Sequence, residues 1–364
     1  MRILYLTNLP APYRVDFFSE LGEICDLTVI YERHFASDRD TKWTSKSQVT
    51  YKEIYLDGMT IGTDNSITLK VIKYLKMNYD RIVVGMYSTY TAMIAISYMN
   101  KHKIPFVLST DGGFVKEESF IKYKIKKYFI SSATLWLSSG KLANEYLLHY
   151  GANPNKLYMY PFSSMRDSEI SRKPISITEK NNYKKMLGIS EKKMILGVGQ
   201  IIHRKGWDIL LNACKGLDEN IGVYIVGGSV TEECLEIQNS LGLKHIYFVP
   251  FMSKTELEKY YKAADLFALP TREDVWGLVI NEAMSYGLPV ISTNKCGAAV
   301  EMVREGQSGY IIDCDDYKVL NNYIIDVLKK NALSGKQTEI IDIVRQYTIE
   351  RMVEKTYSIL SEDY

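Results

Sequence analysis

Short aliphatic and β-branched runs recur along the chain, and segments whose apolar residues repeat at a helical period lie between them. In the first half the runs are Arg2 to Thr7, Asp26 to Ile30, Arg81 to Gly85, Pro105 to Ser109, Thr134 to Leu137 and Lys156 to Tyr160. Helices are predicted over Tyr13 to Leu21, Ser66 to Asn78, Tyr90 to Lys101 and Lys141 to Tyr150. From Pro161 to about Ile189 the alternation stops in a polar, charged stretch, which places a domain boundary at about 161 to 176. It then restarts with strands at Met194 to Val198, Val223 to Val226, Ile246 to Val249, Leu266 to Leu269 and Pro289 to Ser292. The helices between these are Trp207 to Cys214, Thr231 to Leu241, Lys254 to Ala264 and Leu278 to Tyr286. Such βαβα alternation predicts an α/β protein of two doubly wound, Rossmann-like domains, residues 1–164 and 165–344. Ile340 to Leu360 is again helical in period, and a helix so far beyond the last strand, at about 345–364, is a candidate to pack back on the first domain.

Composition adds mainly exclusions. The 364 residues are 46% hydrophobic and 24% charged, ordinary values for a folded, water-soluble protein. Forty-five Lys and Arg against 43 Asp and Glu leave a formal charge of +2, so no global field favours nucleic acid, which is not expected as a partner. Cys25, Cys214, Cys234, Cys296 and Cys314 lie far apart without zinc-ligand spacing and read as reduced, mostly buried thiols. The apolar run at the start meets Pro10 and Pro12 too early for an export signal. The longest mostly apolar stretch, Tyr90 to Met99, is about half the roughly 20 residues of a membrane span. The expected location is the cytoplasm, or a membrane surface facing it.

In open α/β sheets ligands bind outside the carboxyl ends of the strands, so with two such domains the expected site is the cleft between them. Two segments carry the chemistry. Gly197-Val198-Gly199-Gln200-Ile201-Ile202-His203-Arg204-Lys205-Gly206 leaves a strand through a glycine-containing loop, and Arg204 and Lys205 beside a helix start suit a diphosphate. A solvated turn with two surface cations is the plain alternative. The second segment is Leu269-Pro270-Thr271-Arg272-Glu273-Asp274-Val275-Trp276-Gly277-Leu278-Val279-Ile280-Asn281-Glu282-Ala283-Met284. Asp274 precedes the helix and Glu282 lies about one and a half turns inside it, so two carboxylates can grip two parts of one elongated ligand. Gly277 allows close backbone approach, and the free N–H groups that follow can meet phosphate or sugar oxygens. Read alone, Glu282 is a helix-surface carboxylate; its apolar surroundings favour a buried or ligand-paired role.

Together these residues resemble the family 4 glycosyltransferases, retaining enzymes of the GT-B fold that use nucleotide-sugar donors. The resemblance is densest from about Gly197 to Asp313 and extends over nearly the whole chain. It rests on the glycine turn with Lys205-Gly206, the strand Ala264-Asp265-Leu266-Phe267-Ala268-Leu269-Pro270, and the two acids followed by Ala283-Met284. Cys296-Gly297-Ala298-Ala299-Val300-Glu301 and Gly306-Gln307-Ser308-Gly309-Tyr310 add to it. The resemblance implies that Lys205, with Arg204, neutralises the donor diphosphate near Gly199. Glu282 would hold the ribose hydroxyls, and Asp274, with Glu273 beside it and the backbone of Val275, Trp276, Gly277 and Leu278, the transferred sugar. Pro250, Phe251 and Met252 would border the base. It implies no bound metal and no other cofactor, the nucleotide sugar being a substrate, and Asp313-Cys314-Asp315 reads as a plain loop.

Three positions depart from the family pattern. Gln200 stands where Arg is frequent, Asp274 where Glu is usual, and Ser109-Thr110-Asp111-Gly112-Gly113 where a His often contacts the donor sugar. Asp111 would accept a hydroxyl hydrogen bond there, or serve only as a turn residue. Asn8-Leu9-Pro10-Ala11-Pro12-Tyr13-Arg14 lacks the family's Gly-Gly. Arg14, just inside a helix opened by Pro12, could reach acceptor or donor phosphate, or make a surface ion pair. In Lys116 to Ile130, five lysines accompany Ile121, Ile125, Tyr128 and Phe129 on one helical face. That face either docks on anionic lipid near a lipid-linked acceptor or, more commonly for such helices, packs into a core. The expected activity is retaining transfer of a hexosyl or N-acetylhexosaminyl group, from a UDP- or GDP-sugar, to a hydroxyl of a growing, lipid-linked surface glycan. The rivals are a catalytically silent nucleotide-sugar-binding subunit and a nucleotide-sugar epimerase of the same architecture.

Overall fold

The computed structural model describes residues 1–34, 48–62 and 65–362. They form two compact units, Met1–Ser164 with Ile349–Tyr364, and Met165–Thr348. The first is built on strands β1 (Arg2–Thr7), β2 (Asp26–Tyr31), β3 (Lys52–Tyr55), β4 (Met59–Ile61), β5 (Asn65–Ile67), β6 (Arg81–Val84), β7 (Val107–Thr110), β8 (Leu135–Ser138) and β9 (Leu157–Met159). Seven of these make one parallel sheet in the order β3-β2-β1-β6-β7-β8-β9, while β4 and β5 pair antiparallel as a separate ribbon. Five of the six residues of both β1 and β2 are buried, as expected of strands covered on both faces. The second unit holds β10 (Lys193–Val198), β11 (Ile221–Val226), β12 (Ile246–Val249), β13 (Leu266–Leu269), β14 (Val290–Thr293) and β15 (Gly309–Ile312), parallel in the order β12-β11-β10-β13-β14-β15. Both units are therefore doubly wound, and the chain order reverses direction between β1 and β6 in one sheet and between β10 and β13 in the other. At such a switch point the loops leaving neighbouring strands diverge and open a crevice.

The structure corrects four local readings. Ser66 to Asn78 is not one helix: its start is β5, and only Val71–Leu75 is helical. The buried Ser66 hydroxyl donates to Glu32 (2.8 Å) and lies 3.2 Å from that of Thr91, tertiary bonds that outweigh the helical period. The polar stretch before Ile189 contains a helix, Ile177–Met186, started by a Ser176/Glu179 capping box. Its inward anchor is an ammonium, Lys184 bonded to Asp265 (2.7 Å) and the Lys192 carbonyl (2.7 Å), so no apolar stripe betrays it. Ile340 to Leu360 is two helices, Gln337–Val344 in the second unit and Ile349–Ser361 in the first. The latter packs on Pro12–Gly22, and Arg81 donates to the carbonyls of Leu360 (2.8 Å) and Glu362 (2.8 Å). Finally, the lysine-rich segment packs into the core only in part: in helix Phe120–Ser131 Ile130 is buried and Tyr123 and Phe129 pack half-buried against the core, whereas Ile121, Ile125 and Tyr128 stay exposed. All five cysteines are free thiols, three of them buried.

Candidate functional site

The loops that leave β10 and β13, at the switch point of the second sheet, are laced together by their backbones. The Arg204 carbonyl accepts from the Arg272 N–H (2.8 Å) and the Thr271 hydroxyl (2.9 Å). Contact this close requires Gly206, which sits at φ 72° and whose absent Cβ would lie 2.0 Å from the Pro270 oxygen. Arg272 completes the lacing: its guanidinium takes both Asp208 oxygens (2.8 and 2.6 Å), Asp315 (2.8 Å) and the His203 carbonyl (2.8 Å). It thereby holds the short turn His203–Lys205 in place. Nothing in the motif marked Arg272 for this task. Asp313 accepts from the Asn294 amide (2.7 Å), so the Asp313-Cys314-Asp315 segment is a loop fastened at both acids.

Lys205 and Asp274 meet directly, Nζ to Oδ2 at 2.5 Å, with side chains only 12% and 14% exposed. The solvated-turn reading is thus wrong for Lys205. Arg204 is the outer cation, exposed, donating to the Glu273 carbonyl (2.6 Å) and 4.0 Å from Asp274 Oδ1. Asp274 is positioned by its own backbone, whose N–H donates to the Lys295 carbonyl (2.9 Å) and whose carbonyl accepts from the Gly297 N–H (3.1 Å). Beyond Val275, Trp276 turns inward and donates from Nε1 to Asn281 Oδ1 (2.8 Å), so its ring supports the loop from beneath. Cys296 donates its thiol proton to the Trp276 carbonyl (3.1 Å), and burial, helped by the charge of Asp274, pushes the thiol pKa up to about 12. Gly277, at φ 91° with its missing Cβ position 2.7 Å from Cys296 Sγ, opens the helix Leu278–Ser285.

Inside that helix Glu282, half-buried, accepts a hydrogen bond at Oε2 from the Tyr261 hydroxyl (2.8 Å). Tyr261 is buried and stacked on Tyr286, with ring centroids 5.7 Å apart. Burial, reinforced by the Glu282 charge, drives its phenol pKa well above the ordinary value, so it remains a donor. Sequence reading missed Tyr261, one of 28 tyrosines and set apart by no motif. Phe251 is exposed just past β12, ahead of the Ser253-capped helix Lys254–Ala263.

In the first unit, Pro12 opens the helix Pro12–Gly22, and Arg14 one turn in is buried rather than on the surface. Its guanidinium bonds Asp111 Oδ1 and lies 5.2 Å over the Phe162 ring. Burial alone would lower the Arg14 pKa; Asp111 outweighs this and holds it well above normal, fixing the charge. The Tyr13 hydroxyl reaches the other Asp111 oxygen (3.5 Å), and Ser139 donates to the Asp111 carbonyl (2.7 Å). A surface ion pair therefore does not describe Arg14: it is buried, and it holds the partly exposed Asp111 carboxylate in one orientation. Among the described residues no group of three or more His, Cys, Asp or Glu side chains is placed to hold a metal ion.

Comparison with known proteins gives these arrangements a context. Residues 179–346 match the family model described as glycosyl transferases group 1. An uncharacterised 41.2 kDa protein in the cps region of Klebsiella pneumoniae is 26% identical over 289 residues, 76% of either chain. A D-inositol 3-phosphate glycosyltransferase of Corynebacterium diphtheriae is 26% identical over 221 residues, 55% of this chain and 49% of that one, so the match spans about half its length. Anabaena Alr3699/HepE, solved in complex with UDP, superposes with a TM-score of 0.79 over 99% of this chain and 100% of its own. At 16% identity that likeness is one of fold.

Proposed function

We propose that this chain, whose residues 179–346 match the group 1 glycosyl transferase model, is a family 4 glycosyltransferase of GT-B fold that transfers a hexosyl or N-acetylhexosaminyl group from a UDP-sugar to a hydroxyl of a lipid-carried surface glycan, with retention of configuration. The observation that carries the reading is the Lys205–Asp274 pair, largely shielded from solvent, at the carboxyl ends of β10 and β13. Lys205, with Arg204 outside it, would stabilise the departing diphosphate, and Asp274 would orient the sugar. Glu282 would hold the ribose hydroxyls and Phe251 border the base. Asp111, fixed by Arg14, would accept from a sugar hydroxyl. Same-face substitution needs no carboxylate nucleophile, so holding donor and acceptor together supplies much of the rate. UDP is chosen first because the Anabaena protein binds it, and the surface-glycan acceptor because the Klebsiella relative is in a cps region. The reaction would take place at the cytoplasmic face of a membrane.

Equilibrium titration with UDP, GDP and ADP, with EDTA present, tests the donor site. One nucleotide is expected to bind, and Glu282→Ala to weaken it about 100-fold, the worth of charge-accepted hydrogen bonds to two hydroxyls. Binding of none of the three, or equal binding by the variant, would sink the assignment. A silent subunit would bind nucleotide yet never hydrolyse or transfer the sugar. Tyr261→Phe is expected to cost about tenfold in affinity for the ribonucleotide and almost nothing for its 2′,3′-dideoxy analogue, since the lost bond acts only through Glu282. Equal losses on both would mean that Tyr261 serves packing alone.

A further inference from the structure

The loop that leaves β7, residues 111–119, has no secondary structure of its own, yet it is seated on a regular bed. The bed is the helix Lys141–His149 with the residues flanking its two ends. Ser139, Ala143, Tyr146 and Tyr150 are spaced four, three and four apart, so they line one helical side, and the loop meets them in order. Ser139 donates to the Asp111 carbonyl (2.7 Å). A Cβ on Gly112 would lie 2.8 Å from that of Ala143, and one on Gly113 would lie 2.9 Å from the ring of buried Tyr146. Glu118 accepts from the Tyr150 hydroxyl and pairs with the Lys126 ammonium (2.7 Å). Tyr146 is itself pinned. Its hydroxyl is bonded to that of Tyr87, in the loop leaving β6, and its ring stands edge-on to Tyr150 with centroids 4.9 Å apart.

We infer that Tyr146, acting through Gly113, is a positioning residue for Asp111: its ring sets the depth at which the loop beds on the helix, and so the place from which the Asp111 carboxylate meets a sugar hydroxyl. Arg14 orients that carboxylate. The backbone that carries it is placed by Gly112 and Gly113, one and two residues further on. A loop with no hydrogen-bonded ladder takes its shape from what it rests on, and a pinned ring in a close-packed interior is a support that does not yield. The inference rests on the reading of Asp111 as acceptor of a sugar hydroxyl, and deepens it by naming what decides where that acceptor stands. Gly113 is the position to test. Unlike Gly112, at φ 114°, it is outside the left-handed region, so a methyl group there changes the space and not the backbone preference.

The rate to read is UDP release from UDP-glucose or UDP-N-acetylglucosamine in the full chain, with water as acceptor. Gly113→Ala is expected to lower kcat about 30-fold while UDP affinity stays within about twofold, because a small shift of an orienting group costs rate rather than nucleotide binding. Tyr146→Leu alone withdraws the support and should lower kcat about tenfold. In the Gly113→Ala background the same change makes room for the methyl group, and should raise kcat about tenfold. Asp111→Asn, which keeps an acceptor for Arg14, should lower kcat about 100-fold, and adding Gly113→Ala to it should cost at most about twofold more. Amide hydrogen exchange over residues 111–119 follows the seating without any turnover: faster in Gly113→Ala, and returned towards wild type by Tyr146→Leu. Unchanged exchange in Gly113→Ala, a kcat within about threefold of wild type, no rescue by Tyr146→Leu, or losses that multiply in Asp111→Asn/Gly113→Ala would each overturn the inference. Failure of the underlying reading is distinguishable. Asp111→Asn at the wild-type rate overturns the reading of Asp111 and the inference together, whereas a slow Asp111→Asn beside a wild-type Gly113→Ala overturns the inference alone.

Discussion

Lys205→Gln is expected to lower turnover by about two to three orders of magnitude while leaving the fold intact. The ammonium is the inner of the two cations at the β10 end, held in a nearly dry setting where a charge acts on a leaving diphosphate far more strongly than in water. Glutamine keeps a donor for Asp274, so the carboxylate is not left stranded. Arg204→Gln should cost much less, about tenfold, because Arg204 is exposed and solvent screens it. Single-turnover release of UDP from the donor measures both. A Lys205→Gln rate within about tenfold of wild type would move the diphosphate to Arg204, the alternative that Gln200 in place of the family's Arg raises.

Asp274→Asn should split binding from chemistry with opposite signs. In the free protein Lys205 and Asp274 satisfy each other, so a donor must exchange both partners, phosphate for the carboxylate and sugar hydroxyl for the ammonium. Neutralising the acid removes the competitor for Lys205, and free UDP should bind about three- to tenfold more tightly. Sugar transfer should nevertheless fall about 100-fold or more, since the hydroxyl loses its charged acceptor and the sugar its orientation. Calorimetric titration with UDP, beside turnover of the UDP-sugar, reads the two effects separately. Weaker UDP binding in Asp274→Asn would show that the pair stabilises the loops more than it occupies the cation.

How far the site was legible depended on whether a residue acts through its place in a motif or through a contact. Asp274, Gly277 and Glu282 lie within nine residues of chain, where one turn between strand and helix sets their spacing, so the motif could present them together. Arg272 lies in the same segment and passed unnoticed, because its partners Asp208 and Asp315 are remote in sequence. Tyr261 was hidden for the same reason, with its hydroxyl on Glu282 from a different helix. Arg14 was seen but misplaced: a cation in the first turn of a helix reads as solvated unless something shows that Asp111, 97 positions on, receives it in the interior.

Among the described residues, eleven of the thirteen strands of the two sheets were predicted to within about two residues, because apolar runs interrupted by helical periods are a local property with one economical packing, whereas the edge strands β3 and β15 were not predicted. The sequence by itself thus determined the α/β class, the number of doubly wound units and the two loops richest in site chemistry. Tertiary structure alone decided which of those polar groups are satisfied by which. It pulled Lys205 inward onto Asp274, and it replaced the predicted helix at Ser66 with a strand bonded to Glu32. It also left the apolar face of Phe120–Ser131 uncovered. The physical reason is common to all three. Helical and strand periodicity record that a side chain prefers company over water, but the identity of that company is a long-range matter, settled only when the sheets bring distant strand ends and helix faces together.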